Sequence, residues 1–337
     1  MKAIGFSKNL PIHDPESLVD LDIAPPLLAA RDLLVEVHAI SVNPIDVKVR
    51  SGLYPGVGSP TIIGWDVAGV VKAVGPEVTL FSPGDKVFYA GDLTRPGANS
   101  ELHAVDERIV GRMPSSLSFA QAAALPLTSI TAWELLFDRL EVPKSHTAAP
   151  KSILVVGAAG GVGSILIQLA RTMTNLTIIA TASRPETQEW VKSLGADIVI
   201  DHNKSMSQQL IAAGISQVDY VAGLNNSDLH LDEIVECLVP QGKFGLIDDP
   251  ESLAVSKLKG KSLSLHWELM FTRSMHQTTD MIEQHNLLTH IATLVDANKI
   301  NTTLSSTFGV INAENLRKAH AFIESGKAKG KIVLEGF

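Results

Sequence analysis

The sequence has only one cysteine, Cys237, among its 337 residues. A single cysteine excludes an internal disulfide bond and a zinc site built from several cysteines. Long hydrophobic runs are also missing, because no apolar stretch reaches the length that spans a bilayer. The first residues, MKAIGFSKNL, lack the apolar core of a signal peptide. These absences predict a cytoplasmic protein with no membrane association.

Basic residues are in deficit, with 28 Lys and Arg against 36 Asp and Glu and a net charge of −8. This balance argues against nucleic acid as a main partner, since binding to a phosphate backbone requires a basic face. Hydrophobic residues make up 45% and charged residues 19%, which is ordinary for a globular protein. At 337 residues the chain is too long for a single core and suggests two domains.

The stretch ILVVGAAGGVGSILIQLAR, residues 153–171, joins a β-prone run to a glycine-rich turn and a helical apolar pattern. The glycine spacing allows a tight turn and lets the backbone approach a pyrophosphate at the helix N-terminus. The alternative, a βα turn that binds nothing, is disfavoured because the pattern continues into a second strand. The turn residues expected to bind a dinucleotide are Gly157, Ala158, Gly160, Gly161, Val162 and Gly163.

The second strand, 176–182, indicates which dinucleotide is bound. An NAD site typically ends this strand with an acid that binds the ribose 2′-hydroxyl, but here Ser183 and Arg184 follow. A hydroxyl and a guanidinium can hold the 2′-phosphate that a carboxylate would repel. The alternative is an arginine that is merely solvated in a loop. The sequence therefore favours NADPH over NADH.

The order of the elements predicts a discontinuous domain. Alternation of strands and helices in the middle of the chain indicates an α/β fold with a doubly wound parallel sheet. There we expect strands at 152–157, 176–182, 197–201, 218–221, 242–248 and 262–266, and helices at 162–174, 185–194 and 228–238. Elsewhere we expect strands at 33–42, 67–74, 86–89 and 331–335, and helices at 275–285, 287–298 and 312–325. The nucleotide-binding domain, 126–267, is then inserted into a strand-rich catalytic domain formed by 1–125 and 268–337.

Nine segments carry a resemblance that extends over nearly the whole chain. They are VNPIDVKVRSG (42–52), GWDVAGVVKAVG (64–75), PGDKV (83–87), AAALPLTSITAWELL (122–136), GAAGGVG (157–163), LGADIVID (194–201), LIDDPESL (246–253), SLHWELMFTRSM (264–275) and GKAKGKIVLEG (326–336). The chain resembles medium-chain dehydrogenases/reductases of the quinone oxidoreductase type, in the zinc-type alcohol dehydrogenase-like branch. The resemblance implies a GroES-like catalytic domain around a Rossmann domain, and a homodimer.

The same resemblance bears on metal binding. Zinc-containing members carry a cysteine at the position of Asn43, a histidine at that of Trp65 and an acid at that of Asp66. Their third ligand lies near Leu127. A zinc site needs three protein ligands with N, S or O donors, and here only Asp66 offers one. We therefore expect no metal site.

Without a metal to polarise an alcohol, the expected chemistry is hydride delivery from NADPH to a quinone, an enone or an enal. The resemblance places four candidate catalytic residues beside the substrate: Asn43, Asp46, Tyr54 and Trp65. Asn43 and Asp46 can equally fix a turn and cap backbone amides. Trp65 can equally fill the core.

Three further residues match family positions that contact the cofactor: Thr131, His202 and His266. A helical threonine such as Thr131 can instead hydrogen-bond to its own preceding turn. Lys331 is either a solvated charge on a strand or a cofactor contact.

Three hypotheses about function remain open. The first is a zinc-independent, NADPH-dependent reductase of quinones or α,β-unsaturated carbonyls. The second is an NADPH-binding sensor or structural protein with little turnover, which an intact glycine turn without an obvious proton donor permits. The third, a zinc-dependent alcohol dehydrogenase, conflicts with the missing ligands.

Overall fold

The computed structural model describes all residues from Met1 to Phe337. The chain forms two compact units. Unit 1 consists of Met1–Ile130 and Phe271–Phe337, and unit 2 consists of Thr131–Met270. The sequence predicts these two boundaries at 125/126 and 267/268, a few residues earlier in the chain.

The first part of unit 1 is rich in strands. Its elements are β1 (Lys2–Phe6), β2 (Val19–Asp22), β3 (Asp32–Val42), α1 (Pro44–Arg50), β4 (Thr61–Ile62), β5 (Asp66–Val74), β6 (Lys86–Tyr89), β7 (Leu102–Asp106), β8 (Val110–Arg112) and α2 (Phe119–Ala123). Helix α3 (Pro126–Trp133) follows and continues as a π-helical segment, Glu134–Arg139. The strands predicted at 33–42, 67–74 and 86–89 are confirmed.

Unit 2 contains six parallel strands and the helices that connect them. Its elements are β9 (Lys151–Val156), α4 (Gly161–Met173), β10 (Leu176–Thr181), α5 (Pro185–Ser193), β11 (Ile198–Ile200), α6 (Met206–Ala212), β12 (Val218–Gly223), α7 (Leu231–Cys237), β13 (Leu238–Leu246) and β14 (Ser264–Trp267). The strand order is β11-β10-β9-β12-β13-β14. This is the doubly wound parallel sheet that the alternation predicts.

The central strands of this sheet are apolar along their length because helices cover both faces. In β9 every residue from Ser152 to Val156 is buried. The core around it includes Leu154, Ile179, Val221 and Phe244, each with no exposed surface. Each such side chain contributes about 1.5–3 kcal/mol of hydrophobic stabilisation, so the sheet is a rigid support for the loops at its carboxyl edge.

The tail of the chain completes unit 1. It contributes α8 (Thr272–Met275), α9 (Glu283–Asp296), β15 (Leu304–Thr307), α10 (Ala313–Glu324) and β16 (Lys331–Glu335). Strand β16 pairs antiparallel with β3, with Ile332 opposite Val42. The resulting sheet has the order β15-β16-β3-β5-β6-β8, and β7 also pairs with β3. The last strand therefore lies next to the segment that begins α1.

Several predicted elements were wrong or missing. No helix spans 275–285, because α8 ends at Met275 and Gln277 has a φ of 47°, which a helix cannot continue. The helix predicted at 228–238 begins only at Leu231, after Asn226 with a φ of 52°. The strand predicted at 242–248 runs from 238 to 246. Short elements such as α6 and β15 were not predicted.

None of the helices combines the length and the hydropathy needed to cross a membrane.

Candidate active site

The glycine-rich turn of unit 2 follows β9 directly. Gly157 has a φ of 82°, a conformation that glycine adopts without strain. Its N–H donates to Thr181 Oγ1 at 3.0 Å, which ties the turn to the end of β10. A Cβ atom at Gly163 would lie 2.3 Å from the Ala158 carbonyl oxygen. Only glycine therefore permits this close packing of the turn against the helix.

Helix α4 leaves its first amides available to an anion. Gly160 is the N-cap residue, and no side chain caps the helix. The N–H groups of Gly161, Val162 and Gly163 lie in the first turn, where an α-helix provides no acceptor of its own. Gly160, Gly161 and Val162 are partly exposed. This arrangement fits a dinucleotide pyrophosphate, since free amides and the helix dipole favour negative charge.

The end of β10 carries the residues predicted to select the cofactor. Ser183 and Arg184 are both partly exposed, and Arg184 is the N-cap residue of α5. Its Nε lies 3.1 Å from Glu186 Oε1. The guanidinium charge is thus partly balanced by a carboxylate two residues later. No acid stands at the strand end itself, where one would repel a 2′-phosphate.

His202 follows β11 and lies against a histidine that the sequence analysis missed. The rings of His202 and His230 are 5.9 Å apart in a T-shaped arrangement. Burial and the neighbouring His202 lower the pKa of His230. His230 precedes α7, after β12, so the pair joins two loops at the carboxyl edge of the sheet. Only the topology reveals this contact, because 28 positions of chain separate the two residues.

Two other cofactor candidates occupy different elements. His266 lies on β14, and its Nε2 is 3.2 Å from Ser264 Oγ. Burial and the Lys243 ammonium lower the pKa of His266, so the ring is neutral at physiological pH. Thr131 lies in α3 and is 5% exposed.

In unit 1, Asn43 and Asp46 form the start of α1. Pro44 occupies the first position of the helix, which its fixed φ favours. The Asn43 N–H donates to Asp46 Oδ2 at 2.6 Å. Asp46 therefore has the capping function that the sequence left open. Both residues are 1% exposed. Burial raises the pKa of Asp46 to about 7.

Asp66 connects these residues to two other parts of unit 1. Its Oδ1 accepts the Leu127 N–H at 2.8 Å, and its Oδ2 accepts from Asn43 Nδ2 at 2.8 Å. The Lys331 ammonium lies 2.9 Å from the same Oδ2. Lys331 is 4% exposed and is therefore not a solvated charge. We call Asn43, Asp46, Asp66 and Lys331 the polar network.

Trp65 and Tyr54 differ in their exposure. Trp65 is 3% exposed, donates from Nε1 to the Asp92 carbonyl at 3.2 Å, and packs edge-on against Phe271. Its ring is part of the core of unit 1. Tyr54 is partly exposed, in the loop after α1. Of the four substrate-side candidates, only Tyr54 has a side chain that is not buried.

A catalytic zinc ion does not fit the residues at this place. Zinc needs nitrogen, sulfur or oxygen donors with free lone pairs. Asn43 Nδ2 and Trp65 Nε1 carry protons that they donate to hydrogen bonds, so neither offers a lone pair to a metal ion. Both Asp66 oxygens already accept hydrogen bonds. No group of three or more His, Cys, Asp or Glu residues is placed to hold a metal ion anywhere in the chain.

Two family models match the chain. One, described as the alcohol dehydrogenase GroES-like domain, matches residues 29–128. The other, described as a zinc-binding dehydrogenase, matches residues 194–334. A zinc-type alcohol dehydrogenase-like protein of Staphylococcus aureus is 39% identical over 338 aligned residues, covering 99% of each chain. A 2-methylene-furan-3-one reductase of Solanum lycopersicum is 39% identical over 57% of this chain and 50% of its own.

Solved structures show the same similarity. A candidate zinc-dependent alcohol dehydrogenase from Rhizobium etli CFN 42 has a TM-score of 0.96 and 55% identity, covering 100% of this chain and 98% of its own. The Escherichia coli quinone oxidoreductase, solved in complex with NADPH, has a TM-score of 0.84 and 25% identity. That match covers 99% of this chain and 100% of the other.

Proposed function

We propose that this chain, which belongs to the zinc-type alcohol dehydrogenase-like branch of the medium-chain dehydrogenase/reductase superfamily, reduces quinones or α,β-unsaturated carbonyls with NADPH and without zinc. Membership makes it an oxidoreductase that acts on a small molecule. The cofactor, the acceptor class and the independence from zinc are our proposal.

The proposal rests on the hydrogen-bond partners of the Asp66 carboxylate. A single carboxylate, with both oxygens engaged by Leu127, Asn43 and Lys331, offers no place for a metal ion. An acceptor that needs no metal is one that is already electrophilic, such as a quinone or the β-carbon of an enone. Such acceptors need orientation, exclusion of water and a hydrogen-bond donor to the developing oxyanion.

The residues of unit 2 fit the nicotinamide cofactor that the fold implies. When bound, NADPH supplies a hydride from its nicotinamide ring. The first-turn amides of α4 would hold the pyrophosphate, since no side chain competes for them. Ser183 and Arg184 would hold the 2′-phosphate, and His202, which follows the neighbouring strand β11, can add a further donor. These contacts fix the cofactor and do not themselves react.

Tyr54 is the residue that we assign to the acceptor. Its phenol is a hydrogen-bond donor on a partly exposed side chain, and it can hydrogen-bond the carbonyl oxygen of an acceptor as negative charge develops there. Asn43, Asp46 and Trp65 are buried, so we propose that they support the site without contacting the acceptor. The name of the tomato relative, a reductase of a methylene-furanone, supports an enone as acceptor.

The test is NADPH oxidation by metal-free protein with a simple quinone, an enal, an enone and a saturated ketone. We expect turnover of at least one of the first three acceptors with NADPH, and none of the ketone. NADH and added zinc are the controls. Tight binding of NADPH without turnover of any acceptor would contradict the proposal and favour a sensor or a structural protein.

We also propose that the protein is a homodimer. Strand β14 pairs only with β13, so its other edge is open at the end of the unit 2 sheet. Beside this edge Trp267 is 51% and Leu269 is 40% exposed. An open strand edge with apolar side chains favours pairing with the same strand of a second copy across a two-fold axis.

A further inference from the structure

Lys331 is a charged residue inside an apolar strand. The four residues from Lys331 to Leu334 in β16 are all buried. A buried ammonium is strongly disfavoured unless its protons find acceptors. Here three acceptors surround Nζ: the Val42 carbonyl at 3.1 Å, Asn43 Oδ1, and Asp66 Oδ2 at 2.9 Å. The fold therefore builds a satisfied cation into the interior of unit 1.

This cation determines how the Asn43 amide is oriented. An ammonium can only donate hydrogen bonds, and a carboxylate can only accept them. Oδ1 must therefore face Lys331, and Nδ2 must face Asp66, which it contacts at 2.8 Å. The second Nδ2 proton is directed at the Ser41 carbonyl, 3.3 Å away. Both amide protons are thus used inside the protein, and none remains for a substrate.

Asp66 links the Lys331 ammonium and the Asn43 amide to helix α3. Its Oδ1 accepts the N–H of Leu127, the second residue of α3, at 2.8 Å. A carboxylate at this position satisfies a first-turn amide and lies at the positive end of the helix dipole. The Lys331 ammonium therefore orients the Asn43 amide and the Asp66 carboxylate. Through Asp66 it also fixes the start of α3.

The description of one matching family, a zinc-binding dehydrogenase, implies a zinc ion instead of an ammonium. The matching segment described as a zinc-binding dehydrogenase includes Lys331. Yet the ammonium uses the lone pairs of Asp66 and Asn43 that a metal ion would need, and it repels a divalent cation at this distance. The positive charge beside Asp66 is therefore the Lys331 ammonium.

We propose that Lys331 is the internal cation of the polar network: a positioning residue whose ammonium fixes Asn43, Asp66 and the start of α3 where the family description would call for zinc. The inference rests on the proposed function only for its kinetic measurement. Its other measurements need no substrate.

Three variants test the inference. Lys331→Met removes the charge at nearly constant length. Lys327→Met, at an exposed position before β16, is the matched control. The double variant Lys331→Met/Asp66→Asn removes both charges, and we expect it to fold even if an unpaired buried Asp66 unfolds the single variant. The measurements are amide hydrogen exchange in peptides that contain Leu127, zinc content after incubation with ZnCl2, and kcat, acceptor KM and NADPH Kd.

We expect the Leu127 amide to exchange at least about tenfold faster in both Lys331 variants than in the wild type, because its acceptor loses its support. The control should exchange like the wild type, and the wild type should bind no zinc. We expect kcat to fall by about tenfold or more in the Lys331 variants, while the Kd of NADPH stays unchanged because its binding residues belong to unit 2.

Unchanged Leu127 exchange in both variants would overturn the inference, as would stoichiometric zinc in the wild type. A fall in kcat that the exposed control shares would overturn it too. A wild-type protein that reduces no acceptor would contradict the proposed function alone, because hydrogen exchange would still decide the role of Lys331.

Discussion

The proposed preference for NADPH depends on Arg184. Its guanidinium stands at the end of β10, but Glu186 lies 3.1 Å from its Nε. The sequence shows the arginine and the missing acid. It does not show that the first acid after the strand turns back onto the arginine, since that depends on the turn into α5. We therefore expect the two side chains to affect cofactor binding in opposite directions.

We expect Arg184→Ala to raise the Kd of NADPH by about 10–100-fold, since a hydrogen bond to a charged group contributes about 1.5–3 kcal/mol. The Kd of NADH should change little, because NADH has no 2′-phosphate. Fluorescence titration of both cofactors measures this. Glu186→Gln is the paired variant and should tighten NADPH binding, because it removes the competing carboxylate. An equal loss of affinity for both cofactors in Arg184→Ala would contradict the assignment.

His320 illustrates a residue that the sequence could not single out. It is fully buried in α10, neither ring nitrogen has a hydrogen-bond partner, and burial together with Arg50 lowers its pKa to about 3. Its unfolded-state pKa is about 6.5. The unfolded state therefore binds a proton below that pH while the folded state stays neutral. Stability is lost as the pH falls from about 6.5 towards 3.

We expect His320→Leu to flatten the pH dependence of unfolding below about pH 6.5 by up to about 1.4 kcal/mol per pH unit. Urea unfolding of both proteins at pH 5, 6 and 7 measures the slope. His13→Leu, at an exposed position, is the control and should keep the wild-type slope. Parallel curves for wild type and His320→Leu would refute this account.

At the scale of elements, the βα turn of unit 2 was predictable because its glycine spacing is a local pattern. The spacing of Gly157, Gly160 and Gly163 is visible in the sequence, and the structure places them at a turn and a helix start. The polar network was not predictable in this way. It joins α1, β5, α3 and β16, and its last member lies 288 positions from its first. Only the pairing of β16 with β3 brings them together.

Gly163→Ala tests the packing of that turn. The added Cβ would lie 2.3 Å from the Ala158 carbonyl oxygen, so the turn must move. We expect a loss of about 1–3 kcal/mol in unfolding free energy, and weaker binding of both NADPH and NADH. Gly260→Ala is the control, since a Cβ there meets no atom within 4 Å. Unchanged cofactor affinity in Gly163→Ala would contradict the proposed phosphate site.

The π-helical segment of unit 2 carries a second buried charge cluster. Glu268, just after β14, is 3% exposed, and its Oε2 accepts from Arg139 Nε at 2.8 Å. Burial and the Glu134 carboxylate raise the pKa of Glu268 to about 9. The Glu134–Glu268 pair of carboxyl groups therefore retains a proton at neutral pH, although no sequence pattern indicates it. A raised folded-state pKa means that stability is lost as the pH rises from about 4.5 towards 9.

We expect Glu268→Gln, which resembles the protonated form, to remove this loss. The variant should be more stable than the wild type by about 1 kcal/mol or more at pH 8, and similar to it near pH 5. Thermal or urea unfolding at both pH values measures the difference. Glu189→Gln, at an exposed position in α5, should leave the wild-type pH dependence unchanged. A stability difference that does not grow with pH would rule out a protonated Glu268.

At the scale of the whole molecule, the interruption of one unit by another was predictable from the order of elements alone. Strand-rich sequence on one side of a nucleotide-binding fold, and a helical tail with a final strand on the other, leave few other solutions. The boundaries were less accurate, because α3 runs through one of them without a break in helical structure. Composition cannot locate a boundary inside a helix.

The open edge of β14 gives the prediction for the assembly. We expect the wild type to be a dimer in solution, and Trp267→Lys to weaken it, because a charge would replace an apolar side chain beside the edge. Light scattering after size-exclusion chromatography, over a range of concentrations, measures this. Leu229→Lys changes an exposed leucine elsewhere in unit 2 and should leave the dimer intact. A wild-type monomer at all concentrations would contradict the proposal.

We propose that the chain itself supplies the positive charge of the site and reduces an electrophilic acceptor with NADPH. The most direct measurement is the rate of NADPH oxidation with a simple quinone or enal, before and after removal of metal with a chelator. We predict equal rates in both states and no increase on addition of zinc. A rate that is lost with the chelator and regained with zinc would contradict the account.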